Sequence, residues 1–156
     1  MYAGRLDEIY DRLAYHFSRA DEPAKAFPYL VRLADKAARS YALEESVRVL
    51  YDALRYAVRL AADDRDRRRL EVIYRLAHVL ALVGRPAEAR ELLIGEDALV
   101  VERRDPSLSG PYYFWLAYTY GNLGDAERVL TYARRALDEA TSCGDEVTMG
   151  RASYTL

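Results

Sequence analysis

The chain has 156 residues, with 23 basic and 25 acidic side chains giving a formal charge of −2, 51% hydrophobic residues and a single cysteine. That length supports one domain with a substantial core and excludes a multidomain enzyme, while the composition excludes a disordered chain. The near-neutral balance speaks against nucleic acid as a partner, and the lone Cys143 closes no disulfide within the chain.

The opening MYAGRLDEIYDR lacks the apolar run of a signal peptide, and no uncharged apolar stretch approaches the roughly 18 residues of a membrane span. A cytoplasmic protein that does not enter a membrane is expected. Eight Gly and five Pro leave long stretches uninterrupted, and β-branched residues are sparse, which predicts an all-α fold.

Punctuation falls at Asp21-Glu22-Pro23, Ser40-Tyr41, Asp63-Asp64, Gly84-Arg85-Pro86, Asp105-Pro106 through Gly110-Pro111, Gly124-Asp125 and Gly144-Asp145. Gly closing one helix and Asp or Pro opening the next is the expected asymmetry. Helices are therefore predicted at approximately 4–19, 23–39, 42–62, 66–83, 86–103, 111–122, 126–142 and 146 to the end. Gly95 inside the fifth segment is a place for it to kink or split. Short connections make consecutive helices antiparallel neighbours.

The chain is also self-similar. A shift of 40 residues lays Ile73 on Tyr113, Leu76 on Leu116, Ala77 on Ala117, Leu80 on Tyr120 and Gly84 on Gly124. Each set has the i, i+3, i+4, i+7 spacing of one buried helical face, with a small Ala where a neighbouring helix must come close. Related figures occur at Tyr10, Leu13, Ala14 and Phe17 and at Leu33, Ala34 and Ala37. Ser46, Leu50 and Ala53 resemble Val129, Ala133 and Ala136. The segment 23–39 fits equally as partner to the helix before it or to the helix after it.

Leu76-Ala77 through Leu80 with Gly84-Arg85-Pro86 and Ala89, and Leu116-Ala117 through Tyr120 with Gly124-Asp125 and Ala136, resemble tetratricopeptide (TPR) repeats over nearly the whole chain, although 40 residues exceeds their usual period of about 34. Ala37 through Ser46, and Tyr112 through Ala117 continuing to Cys143-Gly144-Asp145, are similar to the longer repeats of bacterial STAND-type signalling ATPases and of adenylate or guanylate cyclases that carry an AAA-like ATPase module. The resemblance implies a right-handed α-solenoid of about eight helices in antiparallel pairs, one domain spanning 1–156. It also implies a regulatory or protein-binding scaffold without catalytic residues, whose partner is a protein or peptide, another domain of the same parent chain included.

In the resembled fold, faces of successive first helices line a concave groove. On the sixth segment that face offers Phe114, Tyr118 and Asn122; the 40-residue counterparts are Tyr74, His78 and Leu82, and a weaker alignment adds Asp11, Tyr15 and Arg19. Tyr74, His78, Phe114 and Tyr118 are the leading contact candidates, expected as one connected patch. Packing between repeats is the competing reading for the same rings, and it leads for Trp115. An aromatic, charge-poor face suits apolar anchors on a partner better than a free carboxylate.

No phosphate loop, zinc helix, nucleophile elbow or paired cysteine is present, and His16 and His78 lie on separate helices. No cofactor or metal is expected, and no catalytic role for Cys143, which lacks a neighbouring base. The mixed run Asp63 to Arg69 reads as a solvated surface. The last segment stops on Leu156 without a Gly stop or a polar capping helix, so the chain is expected to be a piece of a longer one. Self-association through that open C-terminal helix is the alternative function.

Overall fold

The computed structural model describes Arg12 and residues 22–156. Among these the only regular elements are eight helices: α1 Pro23–Arg39, α2 Leu43–Ala57, α3 Ala62–Leu82, α4 Pro86–Ile94, α5 Asp97–Arg103, α6 Pro106–Asn122, α7 Ala126–Cys143 and α8 Glu146–Thr155. The segment expected at 4–19 lies outside the described residues. The chain divides into two compact units, Met1–Val79 and Leu80–Leu156.

In the first unit α1 packs on α2. Phe27, Leu30, Val31, Ala34 and Ala37 from one helix and Val47, Leu50, Ala53 and Ala57 from the other are buried, at the spacing of one face per helix. Ser46, itself buried, donates its hydroxyl to the Ala34 carbonyl at 2.9 Å where the helices cross. Helix α1 is thus a packing partner of the helix that follows it.

In the first unit two boundaries differ from expectation. Helix α2 ends at Ala57 and α3 begins at Ala62, several residues before the expected start. Carboxylates belong in a first turn, where the exposed amides carry partial positive charge, so Asp64 opens a helix here rather than marking a turn. Arg68 reaches Asp64 one turn back at 3.4 Å and Glu71 at 3.3 Å along the helix surface, whereas Asp66, expected as part of a solvated run, is buried.

The second unit is organised on α6, which packs against α4, α5, α7 and α8. Helix α6 starts at Pro106, not at 111 as expected. Asp105 accepts the Ser107 amide at 2.9 Å as N-cap, and Pro106 takes the first helical position, where its missing N–H costs nothing. Pro111 sits inside the helix and leaves only the Ser107 carbonyl without its usual donor. Gly110 lies at a helix crossing: a Cβ there would stand at ordinary contact distance, 3.4 Å from the Ala140 nitrogen and 3.7 Å from the Ala140 Cβ. A motif that reads as a turn is a close helix crossing.

At the other end of the α6–α7 seam a Cβ on Gly121 would meet Val129 at 3.7 Å. This antiparallel register places Ala117 opposite Ala133, both fully buried. The fifth predicted helix is split at Gly95 into α4 and α5, which keep one core face through Ala89, Leu93 and Val100.

One corner recurs. The amides of Ala42, Arg85, Asp125 and Asp145 donate to the carbonyls of Ala37, Leu80, Tyr120 and Ala140, at 2.9, 2.8, 3.0 and 2.9 Å, the six-to-one bond that closes a helix on a left-handed residue. That residue is Gly84, Gly124 or Gly144 at three corners, with φ of 77°, 78° and 74°, but Tyr41 with φ 59° at the first. Three residues before the accepting carbonyl of each of the first three corners stand Ala34, Ala77 and Ala117, all buried.

A left-handed conformation costs a side-chain-bearing residue about 1–2 kcal/mol, and the Tyr41 ring, 89% exposed, recovers little of it by packing. Tyr41→Gly should therefore raise stability by roughly 1 kcal/mol, seen as a higher urea midpoint at unchanged slope. A lowered midpoint would mean that the corner is not strained.

Candidate interaction surface

Helix α6 runs 17 residues, Pro106–Asn122, without one charged side chain. Its rings divide between two neighbours. Toward α7, Tyr132 stacks nearly parallel between Tyr113, at 6.2 Å and 11°, and Tyr120, at 5.6 Å and 10°. Guanidinium groups close the stack at both ends: Arg135 lies 4.0 Å over Tyr113 and donates to its hydroxyl at 2.5 Å, and Arg128 lies 5.1 Å over Tyr120. Tyr112, 1% exposed, donates its hydroxyl to Asp97 on α5 at 3.2 Å. Burial first, and then the Asp97 carboxylate, push its phenol far above the usual tyrosine range. These rings hold the unit together. Tyr113 and Tyr120 were readable as core; Tyr112 was not.

On the other side Phe114, Trp115 and Tyr118 form a second cluster. Phe114 meets Trp115 edge to face at 5.2 Å and Tyr118 at 6.4 Å, and Trp115 meets Tyr118 at 5.3 Å and 79°. Two adjacent rings differ in exposure from the order expected. Phe114 is only 9% exposed, with the Arg151 guanidinium of α8 5.6 Å over its face, whereas Trp115 stays half-buried with Tyr118. A one-residue step turns a helix by about 100°, enough to carry Phe114 under α8 and leave Trp115 at the edge. Phe114, one of the expected contact candidates, is buried, and the partly exposed rings of this cluster are Trp115 and Tyr118.

Asn122 is exposed and donates its side-chain amide to the Tyr118 carbonyl at 2.9 Å, extending this surface to the end of α6. On α3, Tyr74 is half-buried and His78 exposed, one turn apart on one face. They belong to the first unit and Phe114 and Tyr118 to the second. Asp11 and Tyr15 lie outside the described residues.

A cleft of about 350 Å³ that no sequence pattern announces lies between α1 and α3 in the first unit. Phe27, Val31 and Leu60 form its apolar floor. Its rim is a chain of ion pairs in which Arg75 bridges Asp35, at 3.2 Å, and Glu71, at 3.0 Å, and Arg68 continues to Asp64. The decisive pair, Asp35 with Arg75, joins different helices and leaves no local pattern to read.

Among the described residues no three His, Cys, Asp or Glu side chains are grouped to hold a metal ion, and no helix is long and apolar enough to cross a membrane. Cys143 is exposed and donates its thiol to the Ala140 carbonyl at 3.6 Å. Compared with known proteins, the chain matches no family model and no curated sequence.

Proposed function

We propose that this chain is a non-catalytic protein-interaction module, built as a TPR-like solenoid of antiparallel helix pairs, that holds a peptide or a partner domain against the aromatic face of α6. The reading is carried by the repeated corner, in which the carbonyl that accepts the same six-to-one bond stands three residues after a buried Ala at Ala34, Ala77 and Ala117. A unit copied in this way buries its apolar face only by stacking, and stacked units display one extended surface rather than an enclosed catalytic pocket. Half-open rings are what such a surface uses as anchors, because a large ring buries much area while fixing few torsions. In the same proposal the module serves a cytoplasmic signalling protein, as the resembled repeats do.

The test uses the intact chain as bait in a random-peptide display selection, with recovered peptides measured by calorimetry. Tyr118→Ala should weaken them by on the order of 2 kcal/mol, an aromatic hot-spot effect, while the unfolding midpoint falls much less. Phe114→Ala should act mainly on stability, since its ring is buried. Binding unaffected by Tyr118→Ala would place the partner elsewhere and remove the α6 face from the proposal.

A further inference from the structure

The face that Trp115 and Tyr118 leave half open has a sign. Helix α6 contributes no charge to it, so any charge beside it comes from the elements packed around α6. On α8 the side chain that reaches the α6 rings is Arg151, exposed, with its guanidinium over Phe114. It forms no ion pair with any described carboxylate. The acidic residues nearest in sequence are engaged or turned away. Asp145 caps α8 by accepting the Thr148 amide at 3.1 Å; hydrogen bonding from the Thr148 side chain first, then from backbone amides, with the Arg151 charge adding to it, holds its carboxyl below the usual range. Glu146 precedes Arg151 by five residues, about 140° around the helix. A guanidinium at the edge of a helix face that has rings and no charge of its own is complementary to an anion carried next to an apolar group.

We infer that the α6–α8 face binds a peptide segment in which an acidic side chain lies close to an aromatic or aliphatic one, the apolar group seated on Trp115 and Tyr118 and the carboxylate on Arg151. This rests on the reading of the chain as a peptide-binding module and adds the chemistry of the peptide. The sequence had presented the face as charge-poor because its cation lies on a later helix and reaches the rings only in the folded chain.

The experiment repeats the display selection with the intact wild-type chain and with Arg151→Glu, Arg151→Gln and Arg151→Lys. Arg151 is exposed, so the variants should keep the helical circular dichroism of the parent. Wild-type and Arg151→Lys selections should enrich Asp or Glu within a few positions of an apolar anchor. The Gln variant should lose that enrichment, and the Glu variant should exchange it for Lys or Arg. A recovered acidic peptide should shift the emission of Trp115, the sole tryptophan, and should bind at least tenfold more weakly to Arg151→Glu.

Peptides without acidic enrichment, enrichment unchanged in Arg151→Glu, or binding that leaves Trp115 emission untouched would overturn the inference while the module reading stands. Recovery of no peptide at all would overturn the module reading itself and the inference with it.

Discussion

Replacing Tyr112 with Ala will lower the stability of the chain by about 3–5 kcal/mol, the range for deleting a fully buried ring. The ring is 1% exposed and contacts Tyr113 edge to face at 5.2 Å. Its hydroxyl ties α6 to α5 through Asp97. The two contributions separate cleanly. Tyr112→Phe keeps the ring and loses only the hydrogen bond, and because Asp97 is exposed its carboxylate is then solvated rather than stranded, so the cost should be about 1 kcal/mol. Urea unfolding at matched slope measures both. Equal losses in the two variants would mean that the hydrogen bond, not the buried ring, holds α5 to α6.

The second large effect comes from adding volume. Ala117 and Ala133 face each other on the α6–α7 seam, between the close approaches of Gly110 to Ala140 and of Gly121 to Val129. Leu at 117 has no space to enter without pushing the helices apart, and the expected cost is roughly 1–3 kcal/mol. The matching position in the first unit, Ala77, is also fully buried, and Ala77→Leu should cost a similar amount. Gly110 sharpens the test. A single Cβ there stands at ordinary contact distance from Ala140, so Gly110→Ala should be tolerated and gain helix propensity, while Gly110→Leu should be destabilising. Little change in the midpoint for Ala117→Leu would mean that the seam is looser than its geometry.

The fold was legible where a helix has two different faces. Helix α3 alternates charged residues with Ile73, Leu76, Ala77 and Leu80, so its buried stripe was plain from spacing alone, and all four are 1% exposed or less. Helix α6 has no such contrast. The core residues Tyr113, Leu116, Ala117 and Tyr120 could be taken from the repeat, but the sides taken by Tyr112, Phe114 and Trp115 could not, because every direction around the helix is apolar. Their places were decided by neighbours: α5 brings Asp97 to Tyr112, and α8 brings Arg151 to Phe114. Gly110-Pro111 was misread for a related reason, since local punctuation carries no information about a helix that crosses it thirty residues later in the chain.

The central claim, a module of helix pairs each held chiefly by its sequence neighbours, is tested most directly by native-state amide hydrogen exchange on the intact chain. In a stacked array, protection follows the number of packed neighbours. Amides of α6, which packs against four helices, should exchange slowest in the second unit, and those of α8, with Val147 63% and Tyr154 96% exposed, should exchange fastest. Uniform protection from α4 to α8 would mark a single closed cooperative core and contradict the account.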